Sequence, residues 1–179
     1  FVESAEVLDV SDMKIKNFQK NDCQFEYRGS IFRKNKNLIV LRGVLDLAPD
    51  KKENIQLKMK EFLLDRSKKN SASLGKSAGC FFKNIPWESV DKEYLINNFP
   101  EIKTQSEKPK LPTGFLIDSV GLKGKEIGGA CVPIEHANYI INKNNATSND
   151  VMSLSNLIRE KIFEKYKITL EEEVELLGF

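Results

Sequence analysis

Apolar and polar residues alternate over 5–10 and again over 13–18, with Asp9-Val10-Ser11-Asp12 between them, and this period of two predicts a β-hairpin. The run LIVLRGVLDL, within residues 37–47, is rich in β-branched side chains and predicts a further strand. The period then lengthens. Asp50 with Glu53 three positions on reads as a capping box that opens a helix, with Ile55, Met59, Phe62 and Leu63 on one stripe and an end near Lys68. Residues 67–78, SKKNSASLGKSA, have the Ser- and Lys-rich composition of an exposed connection, and a domain boundary is expected there.

After that connection, the run Cys80-Phe81-Phe82 is short and apolar, and residues 86–99 predict a short helix. Pro112 suits a first helical turn and Gly121 a helix stop, so residues 111–120 predict another. IGGACVPI reads as a strand, and ANYIIN as a second one leading into the turn Lys143-Asn144-Asn145. Thr147 and Asp150 cap the longest helix, whose stripe is Val151, Leu154, Ile158 and Ile162. ITLEEEVEL predicts a final strand, with Ile168, Leu170, Val174 and Leu176 on one face and Thr169, Glu171, Glu173 and Glu175 on the other. There is no internal repeat, and the expected fold class is α+β.

Composition narrows the possibilities. The 179 residues are 40% apolar and 30% charged, which is that of a packed globular protein. A net charge of +2 provides no broad field for nucleic acid or a membrane surface, so neither partner is expected. Three widely spaced cysteines and one histidine suggest neither a disulfide framework nor a zinc cluster, and no metal is expected. Reduced thiols fit a cytoplasmic location. No apolar run approaches the roughly 18 residues of a membrane-spanning helix, and the start, FVESAEVLDV, has no signal pattern. With Phe in place of Met and a strand pattern at once, the chain is expected to be cut inside a domain.

Common motifs are missing: no Gly-rich phosphate loop, HExxH helix or GxSxG elbow occurs, and IGGA alone is too weak to mark a dinucleotide site. Four ordered strings carry more weight. They are CQFEYRGS (23–30), AGCFFKN (78–84), LPTGFLIDSVGLKG (111–124) leading to IGGA, and HANYIIN (136–142) before LEEEV (170–174). Together, over about residues 5–178, they resemble the UDP-N-acetylenolpyruvoylglucosamine reductase family, flavoenzymes of peptidoglycan precursor synthesis.

The resemblance implies a remnant of a flavin-binding (PCMH-type) domain over residues 1–68 and an α+β substrate-binding domain over 69–179. It implies FAD and NADPH as cofactors and UDP-N-acetylglucosamine enolpyruvate as substrate, in a monomer. The amino-terminal flavin-gripping region of the family has no counterpart in the chain. By family position, Arg28 of the Tyr27-Arg28 pair and Glu173 stabilise the charge that develops during hydride attack, a task suited to a guanidinium's permanent charge and planar fork. Tyr27, Lys69, Lys83, Asn84 and His136 are implied substrate contacts, with Lys68 an alternative to Lys69 and His136 directed to the diphosphate.

The proton donor in most members is a serine within Gly-Ser-Phe-Phe-Lys-Asn, and Cys80 stands there instead. A thiol is far more acidic than an alkyl hydroxyl, so the exchange is expected to keep the role while making the site oxidisable. By composition alone Cys80 reads as a core cysteine, Arg28 as a surface ion-pair partner, Glu173 as part of a solvated strand face and His136 as a structural histidine. Two other functions compete: a truncated UDP-sugar-binding or structural module, and a flavin-linked oxidase with another substrate.

Overall fold

The structure, a computed structural model, describes residues 1–68 and 75–178, together with their side chains except those of 66–68. Two compact units are present, Phe1–Lys60 and Glu61–Phe179. Helix and strand are mixed within the chain, as the α+β expectation requires.

The first unit is a three-stranded antiparallel sheet in the order β2-β1-β3, made by β1 (Val2–Asp9), β2 (Lys14–Gln19) and β3 (Leu38–Leu45). The β1-β2 hairpin closes at Asp9↔Lys14, and Met13 takes the left-handed conformation in the turn. Asp9 accepts the Ser11 N–H and pairs with Lys16 at 2.7 Å, which lowers its carboxyl pKa to about 2. One face of the sheet buries Ala5, Val7 and Leu38 with Cys23 beneath Phe18, Ile31 and Phe32; α1 (Ile31–Lys34) supplies the last two.

Helix α2 (Lys52–Lys68) follows. Asp50 precedes it and accepts the Lys51 N–H at 2.8 Å, Asn54 Nδ2 at 2.9 Å and Lys58 Nζ at 2.9 Å. The stripe expected to be a buried face is exposed instead: Ile55, Met59, Phe62 and Leu63 are each at least 43% accessible. A 3.6-residue period identifies a helix that can bury a face, and says nothing about whether a partner is present to cover it.

The second unit holds the main core. It contains a 3₁₀ turn (Trp87–Ser89), α3 (Lys92–Asn98), α4 (Pro100–Lys103), α5 (Thr113–Ser119) and α6 (Ser148–Tyr166). Two small antiparallel sheets accompany them: β4 (Ile85–Pro86) with β5 (Lys110–Leu111), and β6 (Glu126–Ile127), β7 (Ala130–Cys131) and β8 (Ile141–Asn142) in that order. Leu154, Ile158, Ile162 and Tyr166 of α6 pack against Phe82, Leu95, Ile102, Leu111, Leu116 and Ile117, all essentially inaccessible. Each such aliphatic side chain contributes roughly 1.5–3 kcal/mol by leaving water.

The α6 capping box forms as expected: Thr147 Oγ1 accepts the Asp150 N–H at 3.2 Å and the Asp150 carboxylate accepts the Thr147 N–H at 2.9 Å. Pro112 lies one position before α5, as its N-cap, rather than inside the first turn.

Two strand expectations are corrected. IGGACVPI is a hairpin, β6 and β7, turning at Gly128-Gly129, where Gly128 has φ +54° and Gly129 is pressed against the Asn144 and Ala146 backbone. ITLEEEVEL forms no strand: it touches residues 81–83 through one bridge, Phe82↔Glu172, because those residues bend and offer too short a partner for a ladder. Its alternation survives only in part, with Ile168 and Leu170 buried and Leu176 40% exposed.

Candidate functional site

Residues 80–84 run between two flanking segments and are bonded to both. On one side, Phe81 N–H donates to Asn138 O at 2.7 Å, and Cys80 opposes Tyr139 in an isolated bridge. The Asn138 side chain clamps the next residue: Oδ1 accepts the Phe82 N–H at 3.0 Å while Nδ2 donates to Phe82 O at 2.7 Å. On the other side, Lys83 N–H donates to Glu171 O at 2.9 Å and Glu173 N–H to Phe81 O at 2.8 Å. Phe82 is thereby fixed in the core, edge-on to Phe81 at 5.0 Å.

The start of α5 is tied to the same strip. Buried Thr113 donates Oγ1–H to Lys83 O at 2.5 Å and its N–H to Asn84 Oδ1 at 3.2 Å. Beside these contacts opens a cleft of about 430 Å³, within the second unit, whose lining includes Cys80, Asn84, Gln105, Lys123 and His136. Such a volume is in the range of small-ligand sites.

His136 stacks edge-on against Tyr139 at 4.5 Å, and its Nδ1 is buried with no partner among the described residues. Burial, with the Lys123 charge nearby, holds its pKa below the ordinary 6.5, so the ring is neutral at pH 7. Lys123 is itself paired with Asp118 at 2.6 Å. Gln105 is nine-tenths buried, and the orientation of its amide is fixed. Thr104 Oγ1–H donates to Glu101 O at 2.8 Å, so that oxygen can only accept from Gln105 Nε2, at 2.7 Å, and Gln105 Oε1 is left without a partner among the described residues.

Of the residues singled out from the sequence, Cys80, Asn84 and His136 therefore share one cleft. Lys83 is paired with Glu171 at 3.0 Å, and Glu173 is half-buried with its backbone one residue from Cys80 along the pairing. Tyr27 and Arg28 belong to the first unit; both are exposed, Arg28 has φ +56°, and its guanidinium lies 5.7 Å from the Tyr27 ring centroid. Lys69 lies outside the described residues. Sequence reasoning missed Gln105, which no local pattern marks, and the clamp role of Asn138, although HANYIIN contains it. Among the described residues no group of three or more His, Cys, Asp or Glu is placed to hold a metal ion, and no helix is long and apolar enough to cross a membrane.

Fold and site together define an α+β protein whose second unit carries a ligand-sized polar cleft. The sequence pattern of the family described as "UDP-N-acetylenolpyruvoylglucosamine reductase, C-terminal domain" matches residues 69–177. Among curated relatives bearing the name UDP-N-acetylenolpyruvoylglucosamine reductase, one from Thermotoga petrophila is 38% identical over 176 residues, covering 98% of this chain and 53% of its own. Another, from Pasteurella multocida, is 33% identical over 193 residues, covering 96% and 57%. A crystal structure of the reductase from Thermus caldophilus matches with a TM-score of 0.67 at 30% identity, covering 97% of this chain and 52% of that one. The chain belongs to the UDP-N-acetylenolpyruvoylglucosamine reductase family, and it spans about half the length of these relatives.

Proposed function

We propose that the chain is the substrate-side half of a UDP-N-acetylenolpyruvoylglucosamine reductase, an oxidoreductase of peptidoglycan precursor synthesis in the cytoplasm, acting as a monomer. In this reading residues 69–179 are the substrate-binding domain and residues 1–68 the back part of the flavin domain. The observation that carries it is the placement of Cys80, Asn84 and His136 on the wall of one cleft, with residues 80–84 locked by backbone bonds to 138 and to 171–173.

Asn84, Lys83 and His136 bind the UDP-sugar, with Tyr27 and Lys69 as further contacts. His136 is neutral, so it offers a hydrogen bond rather than a charge to a diphosphate. Cys80 holds the proton delivered to the substrate carbon next to the one that accepts hydride. A thiol supports that transfer because its acidity is closer to neutral pH than a serine hydroxyl's. Arg28 and Glu173 stabilise the charge that builds on the enolpyruvyl group in the transition state.

In the whole enzyme, bound FAD reduced by NADPH would supply the hydride. Neither glycine of the first unit, Gly29 or Gly43, has a positive φ, and the family's glycine-rich flavin-gripping strings have no counterpart among residues 1–68. That favours a second reading of the chain taken alone, as a UDP-sugar-binding module without flavin chemistry.

Calorimetric titration of UDP and of the enolpyruvyl UDP-sugar into the chain tests the proposal. Binding that is lost in Asn84→Ala is expected. Failure of both ligands to bind the wild-type chain at millimolar concentration overturns it.

A further inference from the structure

Gln105 sits where the chain leaves α4 and turns back toward β5. Its N–H donates to the carbonyl of fully buried Ile102 at 2.8 Å, and its own carbonyl accepts the Lys108 N–H at 3.0 Å, so the backbone is held on both sides. The end of α4 is braced in turn. The Glu101 carboxylate accepts Lys165 Nζ at 2.9 Å and the Tyr166 hydroxyl at 3.0 Å, both from the last turn of α6. The side chain therefore starts from a fixed point on the cleft wall.

What the amide can do from there is decided by one proton. Thr104 spends its hydroxyl hydrogen on the carbonyl three residues back, so its oxygen can only accept, and the Gln105 amide takes the orientation with Nε2 toward Thr104. Oε1 is left buried with no partner among the described residues. An acceptor kept from water without a partner is a standing cost, and a ligand N–H that reaches it recovers that cost. The other acceptors on the lining lack this property. Asp118 is paired with Lys123, Glu135 is exposed, and His136 Nδ1 belongs to a ring whose proton can sit on either nitrogen.

A fixed acceptor selects only against a group that cannot turn. A hydroxyl rotates to donate or to accept, so a locked amide distinguishes nothing among sugar hydroxyls. A pyrimidine is rigid, and its ring nitrogen N3 is a donor in uracil and an acceptor in cytosine. Pro112 and Phe115 of the same lining offer apolar surface to the faces of such a ring.

We infer that Gln105 is the residue that reads the base: its Oε1 accepts the N3–H of a uracil, and Thr104 is a positioning residue that keeps the amide from turning over to suit a cytosine. The inference rests on the UDP-sugar reading of this cleft and names the group that makes it specific for uridine. Against a cytidine nucleotide the same oxygen meets a ring-nitrogen lone pair, which adds a repulsion to the lost bond.

Calorimetric titration of UDP and of CDP into the chain tests this as a ratio of affinities. The wild type is expected to prefer UDP by about tenfold or more, and Gln105→Ala to bring the ratio to within about twofold of unity. Thr104→Val keeps the side-chain shape and removes the acceptor, so the amide can turn and the ratio is expected to fall about threefold or more. Thr104→Ser keeps the hydroxyl and is expected to keep the ratio. A variant that only loosened the fold would weaken both nucleotides together and leave the ratio unmoved. Equal affinities in the wild type overturn the inference, and so does a UDP preference that survives Gln105→Ala. If Gln105→Ala weakens UDP-N-acetylglucosamine alone, with the UDP-to-CDP ratio intact, the oxygen serves the sugar's amide and the inference is again overturned. Failure of both nucleotides to bind overturns the functional reading and this inference with it, whereas binding without preference overturns this inference alone.

Discussion

The carboxamide of Asn138 holds both backbone groups of Phe82, 56 positions earlier in the chain, accepting its N–H at 3.0 Å and donating to its carbonyl at 2.7 Å. The pair does the work of a strand ladder where residues 80–84 bend too sharply to form one. Cys80 thereby stands on the cleft wall two residues from a fully buried aromatic anchor.

Asn138→Ala is expected to cost about 2–4 kcal/mol, since it removes two hydrogen bonds and leaves the buried Phe82 N–H and carbonyl unsatisfied. Urea unfolding of the two proteins measures it. A loss below about 0.5 kcal/mol would show that water replaces the carboxamide without penalty.

Cys80 is expected to be the first thiol alkylated by iodoacetamide. Cys23 and Cys131 are buried, and burial raises the pKa of both, so little thiolate is offered from either. Peptide mass spectrometry against time reads the order, and UDP is expected to slow Cys80 alone. In the intact enzyme Cys80→Ser should resist mild peroxide that inactivates the wild type; equal sensitivity would remove Cys80 from the reaction.

His136 is the single histidine, so its ring resonances report on one group. Its titration midpoint is expected below 6.5, because burial favours the neutral ring. The unfolded chain then takes up the proton at higher pH than the fold does, so this group's contribution falls as pH drops through 6.5 toward the lowered folded value. Saturating UDP should raise the midpoint if the ring faces the diphosphate; an unmoved midpoint would place His136 away from it.

Asp150 carries an acid limb of stability. Backbone N–H bonds from Thr147 and Gly129 lower its carboxyl pKa from 3.8. The sign follows: the contribution is present above 3.8 and is lost as pH falls through the lowered folded value. Asp150→Asn should therefore melt at a lower temperature than wild type at pH 7 and lose less on acidification. Parallel melting curves across pH for the two proteins would contradict this.

Gly129→Ala is expected to cost about 3 kcal/mol, at the upper end for overpacking, because a Cβ there meets the Asn144 carbonyl and the Ala146 nitrogen, which are backbone and cannot turn aside. The carbonyl of Gly129 itself accepts the Lys143 and Asn144 N–H groups, so the turn shifts with it. Thermal melting compares the variants, and a shift of less than about 1 °C would show that the turn yields freely.

What the sequence determined alone was what neighbouring residues decide between themselves. The β1-β2 hairpin, the Thr147–Asp150 box and the Leu154, Ile158, Ile162 stripe are set by turn chemistry, capping and periodicity within one or two turns of chain. The ordered strings carried the family, and within them the cleft residues Cys80, Asn84 and His136. Tertiary structure decided the rest. ITLEEEVEL alternates like a strand, yet a strand needs a partner of matching length, and residues 81–83 supply one bridge. The α2 stripe recurs at helical spacing, yet burial needs a second surface, and Phe62 and Leu63 remain in water. Gln105 carries no local signal because its meaning comes from the Thr104 proton being spent on Glu101, and Asn138 acquires its role only across 56 residues of chain.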